Sequence, residues 1–130
     1  MTTAPEPTHV LIVDDQALLR EGLQTLLSLD ETIGVVGTAA NGREAVALAQ
    51  QLQPDVVLVE IRMPEMDGIA ATRALKEAHP EIKVLVLTPF DDELIVAALQ
   101  AGASGYVLKD TASEQLAEVL HAVHHGDPNR

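Results

Sequence analysis

The chain has 130 residues, and its 20 acidic side chains against 8 basic ones give a formal net charge of -12. This length predicts one domain, and 47% hydrophobic against 2% aromatic residues predict a core of aliphatic side chains. The acidic balance argues against direct binding of nucleic acid or of an anionic membrane surface, and the absence of cysteine excludes disulfides and thiolate metal sites.

The two ends of the chain lack the periodicity of regular structure. Residues 1–7 contain two prolines and are expected to form a flexible leader. Residues 126–130 contain glycine and proline and are expected to begin a linker after the last helix. The start does not have the pattern of a signal peptide, and no apolar run has the length of a membrane span, so we expect a cytoplasmic protein.

Short apolar runs alternate with longer segments of helical spacing between these ends. The runs predict strands at residues 10–13, 33–37, 56–59, 84–87 and 104–107. The helical segments are marked by Leu19, Leu23, Leu26 and Leu27, by Val46, Ala49 and Leu52, by residues 69–78, by Ile95, Ala98 and Leu99, and by Leu116, Val119, Leu120 and Val123. This alternation predicts a single α/β domain: a doubly wound, five-stranded parallel sheet with helices on both faces.

Local signals mark several helix ends. Asn41 and Glu44 have the spacing of a capping box, which predicts the start of the second helix. The acidic residues 91–93 are expected to cap the fourth helix, and Gly102 is expected to end it.

Three histidines, His121, His124 and His125, stand at the end of the last helical segment. The i, i+4 spacing of His121 and His125 is one that metal ions can use. Solvated histidines favoured by the helix dipole are the preferred interpretation.

Polar residues follow the predicted strands. Asp14 and Asp15 follow the first strand, Glu60 the third, Thr88 the fourth and Lys109 the fifth. Each residue alone also fits a cap, a turn or a solvated side chain. Because the carboxyl ends of parallel strands meet at one edge of a sheet, we expect the five side chains to converge there. Oxygen ligands suit Mg²⁺, and a lysine and a threonine opposite the metal could hold phosphoryl oxygens.

Four segments of the chain together resemble the receiver domains of bacterial two-component response regulators. They are residues 10–15, 55–64 with 67–68, 84–88 and 101–109. The resemblance covers residues 8–125 and implies a flavodoxin-like (βα)5 domain with strand order 2-1-3-4-5. Gly-Tyr-Val-Leu-Lys-Asp at residues 105–110 is most similar to the subfamily with a LuxR-type helix-turn-helix DNA-binding domain. Residues 126–130 would then lead toward such a domain, which is absent from this chain.

The resemblance implies a magnesium site. Asp14 and Asp15 match the acidic pair that holds Mg²⁺, and Arg62 matches the position whose backbone carbonyl is a further ligand. Glu60 occupies the position of the phosphoacceptor, which also faces the metal.

The resemblance also implies switch residues. Thr88 matches the hydroxyl that moves toward the phosphoryl oxygens, and Lys109 matches the lysine that pairs with the phosphoryl group. Tyr106 matches the aromatic residue whose rotamer changes with the threonine. A half-buried strand aromatic is the alternative interpretation of Tyr106.

The chain departs from the family at Glu60, where receiver domains have aspartate. The extra methylene moves the carboxylate by about 1.5 Å, and a misplacement of about 1 Å can cost about 100-fold in rate. We therefore expect very weak or no phosphorylation of Glu60 and weakened binding of Mg²⁺. Glu60 is either an engineered imitation of the phosphorylated state or the native residue of an atypical receiver. Pro89, which stiffens the loop after Thr88, slightly favours the second interpretation.

The implied function is that of a signal-receiving regulatory domain that controls transcription by conformational switching and protein contact, and not that of an enzyme. The implied partners are a sensor histidine kinase and a second receiver, bound through helix 4, strand 5 and helix 5 or through helices 1 and 5. The alternatives are an active phosphotransfer receiver that uses Glu60, and a stand-alone interaction module independent of phosphorylation. A small Mg²⁺-dependent phosphatase-like or nucleotide-binding protein is disfavoured, because no glycine-rich loop follows the first strand.

Overall fold

The computed structural model describes residues 7–63, 66–89, 93–110 and 113–126, without the side chains of residues 113 and 114. Strands and helices alternate along these ranges. The strands are β1 Thr8–Val13, β2 Ile33–Ala39, β3 Val56–Glu60, β4 Lys83–Thr88 and β5 Gly105–Leu108. The helices are α1 Ala17–Ser28, α2 Gly42–Leu52, α3 Gly68–Ala78, α4 Leu94–Gln100 and α5 Ser113–His125.

The five strands form one parallel sheet in the order β2-β1-β3-β4-β5. The predicted doubly wound α/β fold and its strand order are therefore confirmed. Strands β3 and β4 each end one residue later than the apolar pattern indicates, at Glu60 and at Thr88. Both residues thus belong to the sheet edge itself, where the backbone ladder fixes their position.

Alternate residues of the central strands pack into two aliphatic clusters, one on each face of the sheet. Leu11 and Val13 face the cluster covered by α2, α3 and α4, whereas Val10 and Ile12 face the cluster covered by α1 and α5. Strands β1, β3 and β4 are consequently buried on both faces, which explains their almost continuous apolar sequence. The prediction of an aliphatic core is confirmed.

Helix α1 is much less buried than its apolar stripe indicates. Leu27 is its one fully buried residue, while Leu26 and the neighbouring Leu18 and Leu29 are exposed. A groove of about 640 Å³ is lined by Leu18, Leu26 and Leu27 of α1 together with Lys109 and Leu116. The sequence pattern predicts the helix correctly but overestimates how much of its surface the rest of the domain covers.

Two of the predicted helix-end signals, at Asn41 and Gly102, are confirmed, and the third, at residues 91–93, is wrong where the structure describes it. Asn41 Oδ1 accepts a hydrogen bond from the Glu44 amide at 2.9 Å, and Glu44 Oε1 accepts one from the Ala40 amide at 2.9 Å. Gly102 has a φ of 117°, the left-handed conformation that ends α4. The prediction of a cap by residues 91–93 is wrong for Glu93, which makes no side-chain capping bond, and residues 91 and 92 lie outside the described residues.

The prediction of three solvated histidines on α5 is wrong for two of them. His121 Nδ1 and His124 Nδ1 lie 2.8 and 2.9 Å from the hydroxyl of Thr8, which is buried at the start of β1. The spacing along α5 did not reveal this contact because Thr8 is more than a hundred residues away in the chain. His125 is exposed, as expected. In the part of the chain that the structure describes, no helix is long and apolar enough to cross a bilayer.

Candidate functional site

Three charged side chains meet at the carboxyl edge of the sheet, where the strand order reverses. Asp14 follows β1, Glu60 ends β3, and Lys109 follows β5. The Lys109 ammonium forms an ion pair with Glu60 Oε2 and lies 3.8 Å from Asp14 Oδ2. Asp14 and Glu60 are 0% and 2% exposed, whereas the Lys109 side chain is 24% exposed. Two buried carboxylates therefore share one partly exposed cation.

Asp14 is held by its neighbours in the chain, and its Oδ2 has the Lys109 ammonium at 3.8 Å as an ion-pair partner. The Gln16 amide donates to Asp14 Oδ1 at 2.9 Å, and Arg20 Nη1 donates to the Asp14 carbonyl at 2.7 Å. Buried Asp14 Oδ2 accepts no hydrogen bond from the described residues. Burial raises the pKa of Asp14, while the Gln16 amide and Lys109 oppose this shift.

Glu60 is held between the sheet and Lys109. Its Oε1 accepts a long hydrogen bond of 3.4 Å from the Arg62 amide. Burial raises the pKa of Glu60, and the hydrogen bond and charge of Lys109 act in the opposite direction. Lys109 thus decides how easily this site carries a second negative charge.

The remaining predicted residues surround this cluster without all joining it. Thr88 is buried, and its carbonyl accepts a hydrogen bond of 2.7 Å from the Lys109 amide. Asp15 is exposed beside Asp14, and its charge raises the pKa of Asp14. The residue Arg62 is exposed, and Tyr106 is 42% exposed on β5. The structure brings Asp14, Glu60 and Lys109 together, places Thr88 at the same edge, and leaves Asp15 at the surface.

Two residues shape the site although the sequence analysis assigned neither of them a role. Arg20 reaches back to the Asp14 carbonyl from the first turn of α1, and its spacing from Asp14 gave no distinct signal. Gly68 begins α3 against the end of β3, where a Cβ atom would overlap the Glu60 carbonyl and Ile61 Cα. The Asp67-Gly68 pair was a recognisable signal, because a glycine at a helix start often allows two backbones to approach closely.

The residues at this edge of the sheet could hold a magnesium ion, but only in a site with few ligands from the protein. Among the described residues, no group of three or more histidine, aspartate or glutamate side chains is arranged to hold one metal ion. The buried Oδ2 of Asp14, which accepts no hydrogen bond from the described residues, nevertheless suits a hard cation, and Mg²⁺ commonly keeps several water ligands beside one or two carboxylates. Glu60 is engaged by Lys109 in this arrangement.

The parallel sheet, with the buried carboxylates of Asp14 and Glu60 and the lysine Lys109 at its strand ends, defines a flavodoxin-like domain of the receiver class. Comparison with known protein families matches residues 10–121 to the response regulator receiver domain, and the chain belongs to this family.

Similar proteins agree with this membership. The chain is 45% identical over 118 residues to the transcriptional regulatory protein LnrK of Bacillus subtilis, covering 90% of this chain and 54% of LnrK. It is 41% identical over 119 residues to the response regulator VraR of Staphylococcus aureus, covering 91% of this chain and 57% of VraR. The chain therefore spans about half the length of these relatives.

Solved structures show the same similarity. The receiver domain of the putative response regulator NarL from Mycobacterium tuberculosis has a TM-score of 0.89 and 35% identity, covering 94% of this chain and 99% of that domain. A LuxR-family DNA-binding response regulator from Staphylococcus aureus has a TM-score of 0.84 and 30% identity, covering 90% of this chain and 98% of that chain. The predicted resemblance to LuxR-type receivers is confirmed.

Proposed function

We propose that the chain is the signal-receiving domain of a transcriptional response regulator in which Glu60 replaces the phosphoacceptor aspartate. It would act by conformational change and protein contact and not as an enzyme in its own right. The observation that carries the proposal is the ion pair of Glu60 with Lys109 at the end of β3. Control of transcription is supported by the names of the longer relatives, such as LnrK, of which this chain spans 54%.

The surroundings of Glu60 support weak or absent phosphorylation. A phosphoacceptor must present one carboxylate oxygen in line with the incoming phosphorus. Oε2 of Glu60 contacts Lys109, and Oε1 faces the Arg62 amide at 3.4 Å. Attack would require this buried carboxylate to leave its cation and adopt another side-chain conformation. A misplaced nucleophile lowers the reaction rate steeply.

The same surroundings favour the conformation of an unphosphorylated receiver. They argue against Glu60 as an imitation of the phosphorylated state. A phosphoryl group brings a charge of about −1.5 to −2 and three acceptor oxygens. Glu60 brings one charge, and Lys109 already neutralises it. Tyr106 is 42% exposed, so its ring is not packed inward against the end of β4. Glu60 thus occupies the site without supplying the surplus charge that a switch would need.

A magnesium ion would be held by Asp14 through Oδ2, which accepts no hydrogen bond from the described residues, by Asp15 and by the backbone carbonyl of Arg62. When bound, Mg²⁺ would neutralise negative charge at the acceptor position and orient phosphoryl oxygens. Thr88 and Lys109 would be the residues that contact those oxygens. Because Lys109 already holds the Glu60 carboxylate, we expect this glutamate to contribute weakly to the metal site.

Receiver domains are phosphorylated by sensor histidine kinases, and a kinase of this class is the proposed partner. A second receiver is the other proposed partner, and two surfaces with exposed apolar side chains are available to it. One comprises α4 and β5 with Val96, Leu99 and Tyr106, and the other is the α1 groove beside α5 with Leu18 and Leu26. The net charge of -12 supports no direct contact of this chain with nucleic acid.

Intact-mass measurement tests the proposal. The native chain and a Glu60→Asp variant are incubated with Mg²⁺ and a small acyl-phosphate donor, with Glu60→Gln as the control that has no acceptor. We expect a phosphoryl adduct on the Asp variant alone, because the shorter side chain returns the carboxylate to the position of the family aspartate.

Two outcomes would contradict the proposal. An adduct on the native chain that Glu60→Gln lacks would make the domain an active phosphotransfer receiver. Absence of an adduct on both the native chain and the Asp variant would mean that another feature, such as Pro89 after Thr88, has inactivated the site. A phosphorylation-independent interaction module would then be the better description.

A further inference from the structure

The turn between β1 and α1 carries the acidic residues of the candidate site, and three hydrogen bonds hold the first of them. The Asp14 amide donates to the Ala39 carbonyl at the end of β2 at 3.1 Å, and Asp14 Oδ1 accepts from the Gln16 amide at 2.9 Å. The Asp14 carbonyl accepts from Arg20 Nη1 at 2.7 Å. The backbone donor, the backbone acceptor and one carboxylate oxygen of Asp14 are therefore all engaged, which restricts the direction of the other carboxylate oxygen.

The contact with Arg20 satisfies a carbonyl that lies beyond the paired part of the sheet. The pairing of β1 with β2 and with β3 ends at Val13, one residue before Asp14. Asp14 is fully buried, and a buried carbonyl without a donor is costly. A guanidinium is a charged donor, and its hydrogen bonds are stronger than those between neutral groups. A side chain from the next helix thus closes the end of the strand.

The start of α1 is otherwise weakly held in the part of the chain that the structure describes. The side chain of Gln16, at the N-cap, makes no capping hydrogen bond, and the first turn contains no acidic residue. Helix α2, in contrast, begins with the bond between Asn41 Oδ1 and the Glu44 amide. The Arg20 amide donates to the Gln16 carbonyl at 2.9 Å while its guanidinium reaches Asp14. Arg20 therefore joins both ends of the turn.

The charge of Arg20 and its hydrogen bond should have opposite effects on a cation at this edge of the sheet. Burial raises the pKa of Asp14, and the positive charge of Arg20 is among the effects that oppose this shift. The same charge would repel a bound metal ion, so an arginine that acted by charge alone would weaken metal binding. An arginine that orients a ligand strengthens metal binding, because the carboxylate is in place before the ion arrives. The sign of the effect distinguishes the two roles.

We propose that Arg20 is a positioning residue of the candidate site, whose bond to the Asp14 carbonyl holds the turn between β1 and α1 so that Asp14 Oδ2 faces a divalent cation. Oδ2 already points toward the site, since it lies 3.8 Å from the Lys109 ammonium. Arg20 itself touches neither the cation nor the reacting atoms. Because Mg²⁺ is the ion that the proposed function assigns to Asp14, the effect on metal binding rests on that function. The effect on the turn does not.

Isothermal titration calorimetry with Mg²⁺ tests the sign. We expect Arg20→Gln to weaken binding by about tenfold, which is the lower end of the effect of residues that orient metal ligands. Arg20→Lys retains the charge and a donor and should recover most of the affinity. Arg73→Gln is the matched control, because it removes one positive charge from an exposed position on α3 and should leave the affinity unchanged. Equal or tighter binding by Arg20→Gln would overturn the proposal and assign Arg20 an effect of charge alone.

Hydrogen exchange of backbone amides tests the turn without metal. In metal-free buffer, Arg20→Gln should lose protection at the Gln16 amide, which donates to Asp14 Oδ1. The Glu44 amide is the internal control, since it makes the equivalent bond to Asn41 Oδ1 and should exchange as in the native chain. Unchanged protection at Gln16 would refute the positioning role, even if the affinity for Mg²⁺ had fallen.

The two measurements separate this proposal from the proposed function. A native chain that binds no Mg²⁺ would contradict the metal site of that function, and exchange at Gln16 would then decide the role of Arg20 in the turn. A native chain that binds Mg²⁺ as tightly as Arg20→Gln does would retain the metal site and overturn the role of Arg20. If Arg20→Gln does not fold, Arg20→Met, which keeps a long aliphatic side chain, provides the same comparison.

Discussion

In the proposed function, Glu60 stands where receiver domains have the phosphoacceptor aspartate, and its side chain is one methylene group longer. With that extra length, the carboxylate forms an ion pair with Lys109 while Asp14 lies 3.8 Å from the same ammonium. At the residue scale, the site is therefore a balance of two buried negative charges around one cation. The stability of the domain therefore depends on whether Lys109 or a bound metal ion compensates these two negative charges.

Removing the cation tests this balance. In buffer without metal, we expect Lys109→Ala to lower the free energy of unfolding by about 1–3 kcal/mol, because two buried carboxylates then face each other without compensation. Saturating Mg²⁺ should reduce this loss by supplying charge beside Asp14. Urea denaturation with Mg²⁺ and with a chelator measures both values, and Arg73→Ala, at an exposed cation on α3, should change stability by less than about 0.5 kcal/mol. Equal losses in both buffers would contradict a metal site at Asp14.

The raised pKa values of Asp14 and Glu60 set the sign of a pH effect. Burial raises both values above the ordinary 3.8 and 4.5, so the folded state binds protons more tightly than the unfolded state. The stability this contributes is complete below the ordinary values and is lost as the pH rises through the raised ones.

A neutral side chain at residue 60 should remove part of this loss. Relative to the native chain, we expect Glu60→Gln to gain stability as the pH rises from about 4.5 upward in metal-free buffer. Unfolding curves at several pH values measure the difference, with Glu77→Gln at an exposed position of α3 as the control. A stability difference between Glu60→Gln and the native chain that does not change with pH would show that Glu60 titrates as it does in the unfolded chain.

At the scale of elements, the start of α3 determines where the end of β3 can lie. The Gly68 amide donates to the Ile61 carbonyl at 3.0 Å, and the glycine packs directly on the backbone of Glu60. A side chain at residue 68 would have to displace backbone atoms, which cannot yield as a flexible side chain can. The glycine therefore fixes the helix against the strand that ends in Glu60.

Substitution of that glycine is expected to destabilise the domain. Gly68→Ala should cost about 1–3 kcal/mol, because the new methyl group overlaps the Glu60 carbonyl and Ile61 Cα. Gly22→Ala is the matched control: Gly22 lies in α1, where an added Cβ atom would have no neighbour within 4 Å, so alanine should stabilise the helix by about 0.5–1 kcal/mol. Thermal melting of the two variants would refute this interpretation if both changed stability in the same direction.

At the scale of the whole molecule, one sheet joins two aliphatic clusters, so the domain should unfold in a single transition. Leu58→Ala should lower the free energy of unfolding by about 2–5 kcal/mol, because Leu58 is fully buried in β3. Leu29→Ala, at a leucine that is 77% exposed, should change it by less than about 0.5 kcal/mol. Calorimetry of both variants measures this contrast, and similar losses would mean that the α1 surface is more buried than the structure shows.

Local patterns in the sequence were sufficient for the sheet and for most of its edge residues. Strands that are buried on both faces must be apolar throughout, so β1, β3 and β4 were recognisable, and the polar residues that end them, such as Asp14 and Glu60, stood out. Gly102 and the Asn41 cap were recognisable because each depends on the conformation of only a few neighbouring residues. The order of the strands came from the resemblance to receiver domains, since periodicity does not specify which strands are neighbours.

Contacts between distant parts of the chain were decided only by the tertiary structure. The predicted convergence at the sheet edge did not reveal which carboxylate pairs with Lys109, that Asp15 remains at the surface, or that α1 leaves several leucines uncovered. Each outcome depends on how elements far apart in the sequence are placed. The contact of His121 and His124 with Thr8 is the clearest case. Helical spacing indicates which residues share a face of α5, but the group opposite that face is fixed only when β1 packs against it.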